Sequence, residues 1–249
     1  MPRSEQPVEP SADLEDVRRA PYDPMPHGPA EVGVGPWAGE WPEGEEYDGH
    51  LLAEGDRRNV VDRYRYWTME AIIADLDARR HDFHVGVENW QHDFNIGTIV
   101  RTANAFLAKE VHIIGRRRWN RRGAMVTDRY QHVRHHEDAV TFAGYLHGEG
   151  VALLGVDNLP GSRPIESIEL PRRCALLFGQ EGPGLSEDAR AACDDTFSIA
   201  QFGSTRSINA SAAAAIAMHT WVRQHADLSG SWRGGPPDER REDEPGAGD

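Results

Sequence analysis

The sequence contains few cysteines and no long hydrophobic run. Its two cysteines, Cys174 and Cys193, lack the paired spacing of a zinc site and are too few for a disulfide framework, so we expect reduced structural thiols. No apolar run approaches the roughly 20 residues that a membrane-spanning helix needs. The first ten residues are acidic and contain proline, whereas a signal peptide is basic and then apolar. We therefore expect a cytoplasmic protein without a membrane span.

The net charge of −14 at first argues against a nucleic-acid partner, because such proteins usually neutralise phosphates with Lys and Arg. The acidic residues are concentrated at the two ends of the chain. Residues 1–56 carry a net charge of −11 and residues 227–249 a net charge of −4. Residues 57–226 carry a net charge of +1, and their basic residues are clustered. The negative net charge of the whole chain therefore conceals a local basic patch.

Composition divides the chain into three segments. Residues 1–56 are rich in Pro, Gly, Glu and Asp, which disfavour helices and sheets, so we predict a largely disordered extension. Trp37, Trp41 and Tyr47 are unusual for disorder, and we expect part of this extension to lie along the folded body. Residues 227–249 are predicted to be a second disordered acidic tail. Residues 57–226 form the predicted folded domain, which has a usual size.

The central segment alternates short β-branched runs with helical segments, which is typical of βαβ units and a largely parallel sheet. Strands are predicted over residues 83–88, 111–115, 151–156, 174–178 and 196–199. Helices are predicted over residues 59–79, 95–108, 138–147 and 207–225. The fold class is therefore predicted to be α/β, with a parallel sheet flanked by helices.

The first polar motif opens the helix that is predicted to begin at Asn95. Asn95 is placed at the N-cap, and Gly97, Arg101 and Asn104 share a face that differs from the apolar stripe. A glycine permits close approach of another group, and a guanidinium can hold a phosphate or ribose oxygen in a fixed fork. Taken alone, such a helix more often carries a solvated arginine than a ligand site.

The second motif is a glycine-rich loop, residues 179–184, between a predicted strand and a probable helix. Its glycines allow either a tight turn or close approach to a ligand, and their number alone does not distinguish the two. Glu181 is harder to explain by packing, because a carboxylate beside a helix start is placed to accept hydrogen bonds.

The third motif runs from a strand through a polar loop into the last predicted helix. Helix capping explains one of Ser207 and Asn209 but not both. The alanine-rich run at 212–217 lets another backbone pack closely, either in the interior or at a subunit contact.

Together the three motifs resemble those of the SpoU/TrmH branch of the SPOUT RNA methyltransferases, which read N-x-G-x-x-x-R, G-x-E-x-x-G and S-L-N-x-S. The matching residues here are Asn95, Gly97 and Arg101; Gly179, Glu181 and Gly184; and Ser207, Ile208, Asn209 and Ser211. The likeness covers residues 82–226. The chain departs from the family where Ile199-Ala-Gln replaces Ile-Pro-Met and where Ile208 replaces Leu, which affects details of the cofactor loop.

This resemblance implies a homodimer with a C-terminal trefoil knot, and an enzyme that moves a methyl group from S-adenosylmethionine to a ribose 2′-hydroxyl of RNA. It also implies a cofactor site made largely of backbone groups of three loops. Carried over residue by residue, that site contains Val156, Leu177, Gly179, Ile199, Ser207, Ile208 and Asn209.

The same resemblance makes Arg101 the catalytic arginine. Because a guanidinium gives up its proton reluctantly, we expect Arg101 to organise phosphate and ribose rather than to act as a simple base. We expect Asn95, Glu181 and Asn209 to order the site around it, while the proton leaves through an RNA phosphate, water or a transiently neutral Arg101. No metal is needed for this reaction.

A basic run follows the second predicted strand. It contains five arginines around Trp119, namely Arg116, Arg117, Arg118, Arg121 and Arg122, and Arg129 and Arg134 come after it. Such a run is more often a solvated face. In a chain that resembles RNA methyltransferases, we expect it to contact phosphates and to stack on bases.

Two sets of residues look like metal ligands, and we expect neither to bind a metal. The first set crosses a strand, whose alternating faces make its members converge poorly; it comprises His81, His84, Glu88 and His92. The second set is the short run at 135–137.

Two other functions stay open. One is a catalytically silent RNA-binding protein with the same fold, although the intact motifs argue against it. The other is a Rossmann-type nucleotide-binding enzyme, although no GxGxxG follows the first strand and no P-loop lysine is present. The acidic extension does not look like the small RNA-binding domain of family members that act on rRNA, so we expect tRNA rather than rRNA as the substrate.

Overall fold

The computed structural model describes residues 33–91 and 94–229. Its helices are α1 (Gly49–Glu54), α2 (Met69–Asp77), α3 (Asn95–Ala105), α4 (Ala139–Gly148), α5 (Glu187–Ala192) and α6 (Ala210–His225). Its strands are β1 (Phe83–Asn89), β2 (Val111–Gly115), β3 (Val133–His136), β4 (Ala152–Val156), β5 (Arg163–Pro164), β6 (Cys174–Phe178) and β7 (Asp195–Ser198). Short 3₁₀ turns lie at Asp62–Tyr64, Arg122–Ala124, Thr127–Arg129 and Ile165–Ser167.

The seven strands form one sheet in the order β3-β2-β1-β6-β4-β7-β5, and every neighbouring pair is parallel. The central strands β1 and β6 are buried along their whole length. This burial explains their continuous hydrophobic sequences, because a parallel sheet is covered by helices on both faces. The predicted α/β class with a parallel sheet is confirmed.

Two helical layers cover the sheet. On one face α3 and α6 pack against the strands, and the ring centroids of Phe83 and Trp221 lie 4.6 Å apart. On the other face α4 and α5 bury Phe142 and Leu146. None of the helices in the described ranges combines the length and the hydrophobicity that crossing a membrane requires.

The single helix predicted over residues 59–79 is wrong. The chain forms a 3₁₀ turn at Asp62–Tyr64, and α2 begins only at Met69. Tyr66 has a left-handed backbone with φ of +63°, which breaks a right-handed helix. Thr68 then starts a new helix, because its hydroxyl accepts a hydrogen bond from the Ala71 N–H at 3.2 Å.

Residues 33–56 of the predicted extension contain helix α1, whereas residues 1–32 lie outside the described residues. Asp56 is fully buried, and its carboxylate pairs with the Arg58 guanidinium at 2.7 Å and accepts the Tyr66 N–H at 3.0 Å. The Tyr66 hydroxyl donates to the Gly35 carbonyl at 2.7 Å. These contacts join residues 33–56 to the folded body. Of the predicted acidic tail, residues 230–249 also lie outside the described residues.

Candidate active site

The candidate site lies at the edge of the sheet where the strands end. Strands β6, β4 and β7 are neighbours in the sheet, so the loops that follow them leave from the same edge. These loops span residues 179–186, 157–162 and 199–209. In open parallel sheets, ligands bind at the carboxyl ends of the strands. Helix α3 begins beside them, after the neighbouring strand β1.

Three polar side chains from distant parts of the chain meet at this edge. The Asn95 amide nitrogen Nδ2 donates to Glu181 Oε2 at 2.6 Å. The Asn95 oxygen Oδ1 accepts a hydrogen bond from Asn209 Nδ2 at 2.9 Å. Asn95 is buried, and both its amide nitrogen and its amide oxygen have hydrogen-bond partners within the protein. We call these three residues the polar cluster; it contains one residue from each sequence motif.

Asn209 has two roles, as a helix cap and as a member of the polar cluster. It is the N-cap of α6, where its Oδ1 accepts hydrogen bonds from the Ser211 N–H at 3.0 Å and the Ser211 hydroxyl at 2.6 Å. Its Nδ2 is left to contact Asn95. The prediction that Asn95 itself is an N-cap is wrong, because Phe94 occupies that position and Asn95 is the first residue of α3. The Asn95 side chain therefore reaches the other motifs instead.

The glycines of the second motif make a tight turn. Gln180 and Gly184 exchange backbone hydrogen bonds of 3.1 and 3.0 Å. A Cβ atom at Gly179 would lie 2.0 Å from the Gly184 carbonyl carbon, and Gly184 has a left-handed φ of +73°. Backbone geometry therefore accounts for both glycines without a ligand. Glu181 lies within this turn and is held by Asn95.

Side chains that the sequence analysis did not single out hold the three loops together. Asp157 Oδ2 accepts the Leu185 N–H at 2.9 Å, and Asn158 Nδ2 donates to the Arg206 carbonyl at 2.8 Å. The Glu166 carboxylate accepts the Ala200 N–H at 3.1 Å. Asp157 and Asn158 directly follow β4, and this position at the carboxyl end of a strand is the signal that could have identified them.

The predicted cofactor residues fall into two groups. The first group lies on the three loops or at the strand ends beside them, and comprises Val156, Gly179, Ile199, Ser207, Ile208 and Asn209. Leu177 lies apart from them, because it is fully buried inside β6, which is paired with β1 and β4 on its two sides. Its side chain belongs to the core beneath α4.

The loop after β7 fits a ligand that is held by backbone groups. Within the described ranges, none of the backbone N–H groups of residues 201–208 donates to a protein acceptor. Ile208 is 36% exposed and Ile199 packs at the rim of the core, so the same loop offers an apolar wall. An adenosine with a polar amino-acid tail needs these two kinds of surface, and the residues present therefore fit S-adenosylmethionine.

Arg101 is not part of the polar cluster within one chain. It is exposed on α3, about 9 Å along the helix axis from Asn95 at 1.5 Å per residue. Within residues 33–91 and 94–229 its guanidinium forms neither a hydrogen bond nor an ion pair. The structure therefore leaves this guanidinium at the protein surface.

The basic loop after β2 packs against the start of α3. A Cβ atom at Gly97 would lie 2.8 Å from the backbone nitrogens of Gly123 and Ala124, so Gly97 serves helix packing rather than close approach to a ligand. Asn89 Nδ2 donates to the carbonyls of Arg116 and Arg118 at 2.6 and 2.9 Å, which fixes the shape of the loop.

Most arginines of this loop face solvent, but its aromatic residue does not. The exposed arginines are Arg116, Arg117, Arg118 and Arg122. The expectation that Trp119 stacks on bases is wrong, because this side chain is 8% exposed and belongs to the core, with the Arg121 guanidinium 5.3 Å from its ring centroid. Arg134 also lies elsewhere, on β3, where it pairs with Glu110 at 2.9 Å.

Two exposed aromatic residues beside the polar cluster were missed. Phe94 is 76% exposed and immediately precedes Asn95, and Phe202 is 97% exposed in the loop that leads to Asn209. A lone aromatic residue in a polar loop was the available signal, since large aromatic side chains are usually buried.

Comparison with known proteins agrees with this architecture. The profile of the SpoU rRNA methylase family matches residues 82–219. A tRNA (guanosine(18)-2′-O)-methyltransferase of Escherichia coli is 29% identical over 161 residues, which are 63% of this chain and 70% of that protein. The A. aeolicus TrmH/SpoU tRNA modifying enzyme has the same fold, with a TM-score of 0.56 at 18% identity over 63% of this chain and 81% of that one. The SpoU methyltransferase AviRb of Streptomyces viridochromogenes, solved in complex with AdoMet, has a TM-score of 0.52 at 25% identity over 60% of each chain. The profile match spans more than half of the sequence, and the chain therefore belongs to the SpoU rRNA methylase family.

Proposed function

We propose that this protein is an S-adenosylmethionine-dependent RNA methyltransferase that methylates a ribose 2′-hydroxyl, and that its substrate is tRNA rather than rRNA. The observation that carries the proposal is the polar cluster, in which hydrogen bonds of 2.6 and 2.9 Å join the three family motifs beside the cofactor-compatible loops. Family membership and the similarity to a tRNA (guanosine(18)-2′-O)-methyltransferase support it.

S-adenosylmethionine, when bound, would supply a methyl group on a positively charged sulfur, which a ribose oxygen can attack in line. The loop of residues 201–208 would bind it through backbone groups, with Ile199 and Ile208 against its apolar part. Asn95 holds Glu181 in one orientation, so the Glu181 carboxylate and Asn209 form a fixed polar wall for the ribose. Such preorganisation lowers the entropy cost of aligning the reacting atoms.

In this proposal, Arg101 reaches the candidate site from a second subunit. On each chain Arg101 lies on α3, and α6 packs beside α3 with an exposed stripe that contains Ala212, Ile216 and His219. The small and apolar side chains of Ala212 and Ile216 on this exposed face suit a two-fold contact between copies. We therefore propose a homodimer in which Arg101 of each subunit orients the RNA phosphate and ribose at the polar cluster of the other.

Mixed dimers test this arrangement. Arg101→Ala and Glu181→Ala chains are each expected to be inactive alone, because each lacks one part of every site. When equal amounts are unfolded together and refolded, half of the dimers contain one intact composite site, which predicts recovery of about a quarter of wild-type activity. If Arg101 acted on the cluster of its own chain, no mixture would recover activity. Calorimetry checks that both variants still bind S-adenosylmethionine.

Nucleoside mass spectrometry tests the substrate. In a strain that lacks this protein, one 2′-O-methylated nucleoside is expected to disappear from tRNA and to return with the wild-type gene but not with the Arg101→Ala gene. Loss from rRNA instead would contradict the tRNA assignment. A protein that binds RNA but neither binds S-adenosylmethionine nor transfers methyl groups would be the catalytically silent alternative.

Two finer features belong to the same proposal. We propose that the segment after β7 passes through the loops around it to form a trefoil knot, which the hydrogen bonds from Asn158 to Arg206 and from Ala200 to Glu166 support. An experimental structure whose chain trace is unknotted would contradict this. We also propose a cytoplasmic location, where cell fractionation should recover the protein together with tRNA.

A further inference from the structure

Three buried histidines form a row across strands β1, β2 and β3. His84 Nδ1 lies 2.9 Å from His112 Nε2, and His112 Nδ1 lies 2.9 Å from His136 Nε2. His112 is fully buried, and the exposed fractions of the other two are 8% and 6%. The row runs beneath α4, where the His112 ring is 4.8 Å from the Phe142 ring. His84 and His112 are each the second residue of a strand, so their pair lies near the sheet edge opposite the candidate active site.

A carboxylate points at the first two histidines. Glu110 Oε2 lies 3.8 Å from His112 Nε2, and the Glu110 side chain is only 13% exposed. Arg134 Nε donates to the other oxygen, Oε1, at 2.9 Å, while the Tyr145 hydroxyl donates to Oε2 at 3.2 Å. One ligand atom from each of His84, Glu110 and His112 lies within 4.8 Å of the other two. The Glu110 carboxylate is therefore oriented towards the histidine pair by groups outside it.

We propose that His84, Glu110 and His112 form a binding site for a divalent transition metal of the zinc class. Two imidazoles and one carboxylate are a common donor set for zinc sites that keep a fourth position for water. Tetrahedral zinc with bonds of about 2.0–2.1 Å places neighbouring ligand atoms about 3.4 Å apart. The distances of 2.9 and 3.8 Å from His112 Nε2 bracket this value, and the His84 and Glu110 ligand atoms lie within 4.8 Å of each other, so local side-chain shifts would admit the ion.

His136 supplies the support that a histidine ligand needs. A neutral imidazole has one N–H, so a metal on His112 Nε2 requires the proton on Nδ1. The His112 Nδ1 atom already lies 2.9 Å from His136 Nε2. His136 Nε2 would therefore accept a hydrogen bond from the His112 Nδ1–H and fix the orientation of the His112 ring. When the metal binds, each histidine ring keeps its single N–H proton, which lies on the ring nitrogen that does not bind the metal.

An open cleft of about 360 Å³ gives an ion access to this site. His84 and Glu110 form part of its lining, together with three basic side chains and two further acidic ones: Lys109, Arg134, Arg173, Asp82 and Glu149. Acidic and basic groups are thus balanced, and the cleft does not exclude a cation. The sequence analysis expected no metal because it considered residues close along the chain. These ligands come from β1, from β2 and from the residue before β2, and only the pairing of the two strands brings them together.

Zinc binding to the full chain, prepared without an affinity tag and stripped with a chelator, tests the site. After dialysis against micromolar zinc, elemental analysis is expected to find one bound ion per chain, and Co²⁺ is expected to give the intense visible bands of tetrahedral coordination. His84→Gln and Glu110→Gln should each abolish binding. His136→Gln removes only the acceptor behind His112, so it should weaken affinity by about 10–100-fold.

His132→Gln is the matched control. His132 lines the same cleft, but its Nε2 contacts Asp77 Oδ1 at 2.8 Å rather than the proposed ligands, so this variant should bind zinc as the wild type does. Zinc should raise the melting temperature of the wild type and the control but not of Glu110→Gln, which keeps its size. A wild type that binds no zinc, or a Glu110→Gln variant that binds it unchanged, would overturn the proposal. Neither readout uses methyl transfer, so the result is independent of the proposed function.

Discussion

The double role of Asn209 gives a prediction whose two parts can be separated. Asn209→Ala removes the cap of α6 and the hydrogen bond to Asn95 together. An N-cap contributes about 1 kcal/mol and a hydrogen bond about 1 kcal/mol, so the expected loss is about 2 kcal/mol in the free energy of unfolding. In a domain of this size that lowers the melting temperature by about 4–8 °C. Asn209→Asp keeps a good cap, so only about half of this loss is expected.

The two variants should differ in stability but not in catalysis. In Asn209→Asp a carboxylate oxygen replaces the Nδ2 donor and faces Asn95 Oδ1, because the Asn95 amide nitrogen is already bonded to Glu181. The polar cluster is therefore broken in both variants. A lost contribution of about 1.4 kcal/mol to the transition state corresponds to a roughly ten-fold lower rate of methyl transfer. The assay is transfer of radiolabelled methyl groups to RNA, beside thermal unfolding of the same samples.

Ser211→Ala provides the control for this experiment. Its hydroxyl donates to Asn209 Oδ1 at 2.6 Å but does not touch Asn95, so the variant should lose some stability and keep its activity. If Asn209→Asp transferred methyl groups at the wild-type rate, the contact between Asn209 and Asn95 would have no part in the reaction, and the role assigned to the polar cluster would be refuted.

Three further predictions concern RNA binding, the glycine turn and acid stability. Replacing Arg116 to Arg118 by Gln should weaken RNA binding and make the slope of log affinity against log salt shallower by about 2–3, in filter-binding assays at several salt concentrations; an unchanged slope would exclude phosphate contacts there. Gly179→Ala places a methyl group against the Gly184 backbone, so S-adenosylmethionine affinity should fall and unfolding should cost about 1–3 kcal/mol less, as calorimetry and urea unfolding would report. Burial raises the pKa of Asp75, but hydrogen bonds from Tyr64 and Arg79 outweigh it and hold this pKa below 3.8. Its stabilising effect is therefore present above pH 3.8 and is lost as the pH falls below it. In Asp75→Asn the free energy of unfolding should therefore fall less steeply as the pH is lowered below 3.8.

The buried strands could be predicted from the sequence because their pattern is dictated by burial alone. The predicted strand over 174–178 coincides with β6, which is covered on both faces. Strand β3 was not predicted, since it lies at the edge of the sheet and its sequence Val133–His136 is polar. Its hydrogen bonds come from pairing with β2, and no local sequence pattern reports that pairing.

The candidate site was predictable to the extent that its residues lie in family motifs. The three polar motifs indicated Asn95, Glu181 and Asn209, and the structure brings these side chains into contact. The burial of Trp119 was not predictable, because five neighbouring arginines suggest exposure while the indole packs beneath the loop. The histidine row was also out of reach, since it depends on the register between three strands.

The position of Asn209 at the first turn of α6 also bears on how variants of this protein should be interpreted. The cap of the last helix and the polar cluster of the candidate site share this one side chain, so a substitution that removes the whole side chain disturbs both. A substitution near the far end of α6, for example at the buried Trp221, would loosen the helix and reduce turnover without touching any reacting group. Reduced turnover in such a variant would report fraying of a helix, and it should be reversed by cooling or by a stabilising osmolyte.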